Sequence, residues 1–297
     1  MESTNLNKSL SVKGFYDKKT GTISYIASDI SSKKCAVIDS VLDFDFSSGS
    51  IDYINADKII AFVRQNNLTV EWLIETHVHA DHLSASPYIQ KKLGGKIGIS
   101  AKISEVQDLF GKTFNAGTEF QRDGSQFDYL FQDEDEYKIG NIKCKVHYTP
   151  GHTPACTAHV IDDVIFVGDT LFMPDLGSAR ADFPGGDART LFRSIKKILS
   201  YPNRTRLFIC HDYPPETRTV SWETSVNDQK KYNIHINDKI SENEFVDIRE
   251  TRDKTLNMPQ LIIPSIQVNM NAGHLPPAED NGNVYIKVPI NSLKNLI

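Results

Sequence analysis

Three imidazoles and a carboxylate crowd into the six residues His77-Val78-His79-Ala80-Asp81-His82, directly after the apolar run Trp72-Leu73-Ile74. Further on come Thr149-Pro150-Gly151-His152-Thr153-Pro154, then Val167-Gly168-Asp169-Thr170, then Cys210-His211-Asp212. Neutral imidazole nitrogen and carboxylate oxygen are the donors a divalent transition metal takes. His77 and His79, two apart, would share one side of an extended backbone. Asp81 and His82 follow where the chain should leave a strand. The other groups come after apolar runs, at the ends of later strands, and Gly151 and Gly168 permit unusual backbone just before His152 and Asp169. A single metal site built from strand-end loops accounts for the whole series. His147, His159, His235 and His274 lack such a setting and read as structural or surface histidines.

The bulk properties exclude several classes. At 297 residues the chain can bury a large core. A net charge of −5 gives no basic surplus for nucleic acid or an anionic membrane. No apolar stretch approaches the roughly 20 residues of a membrane span, and Met1-Glu2-Ser3-Thr4-Asn5-Leu6-Asn7-Lys8 lacks the apolar segment of a secretory signal. The expected location is cytoplasmic. Cys35, Cys144, Cys156 and Cys210 form no CxxC pair. They read as buried small side chains rather than nucleophiles or dithiols.

Periodicity supplies a coarse fold. Strands are expected over 12–17, 23–27, 35–39, 70–75, 142–149 and 207–210, with a hairpin where 159–161 and 164–167 flank Asp162-Asp163. Helices are expected over 56–66, 86–93 (Pro87 in the first turn) and 187–199, the last with Asp187 as N-cap. Residues 111–123 read as a turn-rich insertion, and the acidic run 132–136 as a solvated loop or hairpin. Segments 221–232 and 241–256 are polar and helix-prone, and a Pro- and Gly-containing tail follows Met258-Pro259. The strand–ligand–helix rhythm predicts an α/β sandwich with helices covering two sheets. A catalytic domain over 1–220 and an extension over 221–297 packed on it is the expected organisation.

The motifs His77-x-His79-x-Asp81-His82, Gly151-His152-Thr153, Gly168-Asp169-Thr170 and His211 resemble, in order, those of the metallo-β-lactamase superfamily. The resemblance covers roughly residues 12 to 220 and implies an αββα sandwich with the metal at one edge, between the sheets. Glu75 to His82, Thr149 to Pro154 and Cys210-His211-Asp212-Tyr213 are similar to the branch holding persulfide dioxygenases and glyoxalase II. Gly177-Ser178-Ala179-Arg180-Ala181-Asp182-Phe183 resembles the Gly-x-x-Arg-x-Asp-Phe run of persulfide dioxygenases, and Pro264 to Asn271 their closing segment. Met173-Pro174-Asp175-Leu176 departs from the shorter loop of the best-known members and is more like a bacterial subgroup of β-lactamase-like hydrolases.

The resemblance implies two chemistries. In a persulfide dioxygenase one Fe(II) would be held by His77, His152 and Asp169, a two-histidine, one-carboxylate set that leaves open positions. The substrate would be a small thiol persulfide such as glutathione persulfide, the products sulfite and a thiol. His79, Asp81, His82 and His211 would then support ligand orientation. In a glyoxalase II-like hydrolase of thioesters, His77, His79 and His152 would hold one Zn2+, and Asp81, His82 and His211 a second, with Asp169 bridging; a site loaded with a single Zn2+ is also open. Asp81 is thus ligand or catalytic support. Arg180 either faces substrate or organises its loop, or else it pairs with Asp175 or Asp182. Tyr213 either donates a hydrogen bond near the metal or packs through its ring. A binding module without chemistry is the third reading, and the intact ligand series argues against it. The dioxygenase is favoured by the Arg180 segment and the C-terminal run. The polar helices after residue 220 leave room for a homodimer interface.

Overall fold

The computed structural model describes residues 9–293. Met1 to Lys8, read above for a secretory signal, lie outside them, as do the last four residues. Two six-stranded sheets face each other. The first runs, edge to edge, Leu10–Tyr16, Ile23–Asp29, Lys34–Ile38, Thr69–Ile74, Lys96–Ser100 and Tyr129–Phe131. Its early strands are antiparallel, and from Lys34–Ile38 onward the pairing is parallel. The second runs Glu136–Ile139, Ile142–Tyr148, Thr157–Ile161, Val164–Phe166, Arg206–Phe208 and Glu223–Ser225.

The central strands are buried on two faces and read as apolar runs, as in Lys34–Ile38 and Val164–Phe166, while Glu136–Ile139 and Ile142–Tyr148 alternate between buried and more exposed positions. Between them lie Tyr25, Ile38, Ile74, Phe131, Val146, Phe166 and Phe208. On the outer face of the first sheet pack helices α1 (Ile54–Gln65), α2 (Ser86–Leu93), α3 (Ile103–Thr113) and the later α7 (Ile262–Asn269), through Ile59, Ile89, Phe110 and Ile266. On the second sheet pack α4 (Ala188–Leu199), α5 (Val226–Tyr232) and α6 (Glu242–Asp253), through Leu191, Ile195, Val226 and Phe245. The result is an αββα sandwich.

The expected helices at 56–66, 86–93 and 187–199 form at nearly those bounds, and Asp187 caps α4 by accepting from the Thr190 amide. The acidic run is an exposed turn where the chain crosses between sheets, as its charge suggested. Two readings need correction. Residues 221–225 are not helical: Glu223–Ser225 pairs with Arg206–Phe208 and closes the sheet edge, and Ser225 then caps α5. The tail after Met258 contains α7, a buried helix; Pro264 sits in its first turn, where a missing amide hydrogen costs nothing. No helix among the described residues is long and apolar enough to cross a membrane.

Candidate metal centre

The first-sheet strand Thr69–Ile74 ends one residue before Glu75, and the irregular segment from Thr76 to His82 turns across the sheet ends. The loop after Ile142–Tyr148 carries His152, and the turn after Val164–Phe166 carries Asp169. The segment after Arg206–Phe208 carries His211. Two glycines make this convergence possible. Gly151, at φ +135°, presses against α4 so closely that a Cβ would lie 2.3 Å from the Leu191 backbone. Gly168, at φ +52°, would clash with Thr76 at 2.8 Å.

Asp169 sits at the centre. One of its oxygens lies 3.8 Å from His77 Nε2 and 3.5 Å from His152 Nε2. The other lies 3.2 Å from His211 Nε2. Ligand atoms of His77, His152 and Asp169 all fall within 4.8 Å of one another. His79 groups instead with Asp81 and His82, with Cys210 and His211, and with Asp39 and Glu75. Asp81 lies 3.5 Å from His82 Nδ1 and 3.4 Å from His211 Nδ1.

The far side of each imidazole is held. His152 Nδ1 donates to the Arg180 carbonyl at 2.8 Å, His77 Nδ1 meets Thr76 Oγ1 at 3.1 Å, and His79 Nε2 meets Asp39 at 2.9 Å. The near side is bare: His77 Nε2, His79 Nδ1, His82 Nε2, His211 Nε2 and Asp169 Oδ1 are buried without a hydrogen-bond partner. A buried polar atom left unpaired costs about 1–3 kcal/mol. Five such atoms on neighbouring residues of one cluster are the signature of a bound cation, and the imidazole–carboxylate donor set fits a divalent transition metal.

Protonation agrees with this for three of the rings. Burial and the neighbouring rings of His79 and His152 hold His77 well below the usual imidazole range, and burial lowers His82 and His152. These rings are neutral, as ligands must be. Burial would lower His79 too, but the Asp39 carboxylate outweighs it and raises the ring to about 9. Burial pushes Glu75 up to about 7.

A cavity of about 360 Å³ opens onto the centre and is lined by Asp81, His152, Asp169, Arg180 and Tyr213, among others. Arg180 does two of the things its motif allowed. Its guanidinium binds Asp182 through two hydrogen bonds of 2.6 and 2.7 Å, and it stands on the cavity wall over the Phe183 ring. Asp175, the other candidate partner, is taken by Arg218. Tyr213 stacks parallel on His211 with ring centroids 6.0 Å apart. Burial and the carboxylates of Asp81 and Asp169 push its hydroxyl upward, so it stays protonated.

The remaining histidines stand apart from the cluster. His147 bonds Glu134, His159 lies between Tyr137 and Thr157, and His235 accepts from the Ser178 amide. Cys156 is buried with its thiol pushed up to about 12, a poor nucleophile. Three supporting residues escaped the sequence reading. Asp39 binds the Thr76 amide, the Thr76 hydroxyl and His79. Thr22 touches Asp81, His82 and His211, and Asn269 on α7 donates to the carbonyls of His79 and His82. A carboxylate at a strand end hinted at Asp39, and Asn269 falls in the closing segment Pro264 to Asn271 without its role being read; Thr22 carries no local signal.

Fold and site together define an αββα sandwich with a metal-binding histidine–aspartate cluster between its two sheets. The chain belongs to the metallo-beta-lactamase superfamily, which it matches over residues 20–211. It is 51% identical to a probable metallo-hydrolase of Burkholderia pseudomallei, over 96% of this chain and 100% of that one. It is 47% identical to glyoxylase B2 of Dictyostelium discoideum, over 95% and 98% respectively. The mitochondrial persulfide dioxygenase ETHE1 of Bos taurus is 27% identical over 90% and 91%. Among solved structures, ETHE1 from Myxococcus xanthus superposes with a TM-score of 0.71 at 25% identity, covering 89% of this chain and 100% of that one.

Proposed function

We propose that this chain is an iron-dependent persulfide dioxygenase acting on a small thiol persulfide such as glutathione persulfide. The observation that carries the reading is the grouping of His77, His152 and Asp169 apart from His79. That is the two-histidine, one-carboxylate set, and it leaves coordination positions free for two further ligands. Fe(II) held there would bring a sulfur ligand and O2 together and mediate electron flow between them, the four electrons that reduce O2 coming from the outer persulfide sulfur as it becomes sulfite. The balanced conversion is R–S–SH + O2 + H2O giving R–SH, sulfite and two protons.

The chain's own residues bind and orient the substrate. Phe172, Leu176 and Phe183 make apolar walls beside the cluster that limit water. Arg180, Arg249 and Arg252 stand on the cavity wall as well, and Arg252 on α6 has no carboxylate partner among the described residues. A cation there suits a thiol carrier with a free carboxylate, such as glutathione. Tyr213 offers a protonated hydroxyl at the mouth. In this reading the part of the chain before residue 221 carries the candidate ligands, and the part after it closes the second sheet through Glu223–Ser225 and completes the pocket with Arg249 and Arg252.

The test is O2 uptake and sulfite release by anaerobically prepared, Fe(II)-loaded protein given glutathione persulfide. Uptake and sulfite in equal amounts are expected. Absence of sulfite together with efficient thioester cleavage overturns the reading. One observation favours that second chemistry, a two-zinc thioester hydrolase: His82 Nε2 and His211 Nε2 are buried without a hydrogen-bond partner, while Asp81 lies against the Nδ1 side of both rings, so these three residues supply donors for a second metal. The name of the Dictyostelium relative points the same way.

A further inference from the structure

Arg249 and Asp253 lie one turn apart on α6, 1% and 5% exposed, and touch none of the candidate ligands. The guanidinium binds Asp253 Oδ1 at 2.6 Å through Nη2, and Nη1 donates to the Ser178 carbonyl at 2.9 Å. The other Asp253 oxygen accepts from the Ala181 amide at 2.9 Å. That N–H and the Arg180 carbonyl belong to one peptide plane, and the Arg180 carbonyl is the acceptor of His152 Nδ1. A chain of hydrogen bonds therefore runs from a buried carboxylate, through one peptide group, to the far nitrogen of a candidate ligand.

We infer that the Arg249–Asp253 pair is a positioning device for His152, acting through the Arg180–Ala181 peptide group. A peptide group is planar, so fixing its N–H fixes the direction of its carbonyl. A negative charge on the N–H also polarises the group and strengthens the carbonyl as an acceptor. The strong acceptor keeps the proton on Nδ1 of His152 and leaves Nε2 free toward Asp169. Imidazole ligands depend on such an outer partner for ring orientation and tautomer. Arg249 has the second task of anchoring the loop at Ser178. The buried pair thus explains why a helix remote in sequence contributes two charges to a place where burying charge is costly. The inference rests on His152 being a ligand, which both proposed chemistries require.

Two double variants test it. Arg249→Met with Asp253→Leu removes both charges and the acceptor for Ala181. Arg249→Met with Asp253→Asn removes both charges but keeps an oxygen there. Neither strands a lone buried charge, so folding is not confounded by one. The readouts are the His152 ring tautomer in metal-free protein by 15N NMR and Zn2+ affinity by chelator competition, with the His77 ring as internal control. In the Leu variant the Nδ1–H form of His152 should give way to a mixture, the His77 ring should be unchanged, and affinity should fall about 10–100-fold. The Asn variant, which keeps the acceptor but not the charge, should fall between the Leu variant and wild type in both. Equal behaviour of the two variants, or a tautomer and affinity unchanged in the Leu variant, overturns the inference. His152→Ala run alongside separates the causes: if it binds Zn2+ as tightly as wild type, the ligand assignment itself has failed.

Discussion

Asp169 is the residue on which the candidate ligands converge, and its two oxygens face different histidines. That geometry makes His211 the discriminating position. In the iron reading His211→Ala leaves metal content at one per chain and lowers turnover about 10–100-fold, as loss of a supporting contact does. Metal content falling from two to one on this change would establish the two-zinc site instead. His152→Ala should abolish tight metal binding, while His147→Ala, whose ring faces Glu134, should leave metal and turnover nearly unchanged. Equal losses in both variants would mean the site is misplaced. His159 bears on stability rather than chemistry. Burial lowers it to about 4 from an unfolded value near 6.5. The unfolded chain therefore binds the extra proton between those values, so stability is intact above pH 6.5 and declines as pH falls toward 4, by up to about 1.4 kcal/mol per unit. His159→Gln should flatten that part of the metal-free stability profile, measured by denaturant titration. An unchanged acid slope would show that other groups dominate it. The ligand series could be read from sequence because it is local and ordered along the chain. The supporting roles of Asp39, Thr22 and Asn269 could not, since each acts across a long sequence separation.

Elements became legible where one physical signal dominated. Helix α4 buries Leu191, Ile195 and Ile198 on one stripe and starts at a capping aspartate, so period and cap agreed. Residues 221–225 are mostly polar apart from Trp222 and lack apolar periodicity; only pairing with Arg206–Phe208 makes part of that segment a strand, and pairing is not a local property. Helix α7 was hidden by Pro264, which signals a break in a helix interior but not in a first turn. Gly151 lies where an element meets the site. Gly151→Ala must place a Cβ within 2.3 Å of the α4 backbone at a φ of +135°. Such strain costs about 1–3 kcal/mol before any clash is counted. The variant should lose at least about 2 kcal/mol in chemical denaturation and bind metal more weakly, because His152 follows directly. Wild-type stability in this variant would show that the loop can move off α4 freely.

For the whole molecule, the candidate ligands come from both sheets: His77 follows the first, while His152, Asp169 and His211 follow strands of the second. A metal held by them ties the two halves of the sandwich together at an edge where the unpaired donors otherwise face one another. The remaining sheet-to-sheet contact is apolar and already well packed, so the metal-free protein should fold but open more readily at the site end. Binding to the folded state alone stabilises by RT ln(1 + [L]/Kd), about 2.7 kcal/mol at a hundredfold excess over Kd. Stripping the metal with chelator should therefore lower Tm by several degrees, and returning Fe(II) anaerobically, or Zn2+, should restore it. Amide hydrogen exchange should speed up in 76–82, 149–153 and 209–212 on metal removal, while Tyr25, Phe166 and Phe208 in the shared core stay protected. His152→Ala should show no metal-dependent shift. Uniform loosening across both sheets would instead make the metal a folding requirement rather than a clasp. A Tm indifferent to chelator in protein of measured metal content would remove the stabilising role altogether.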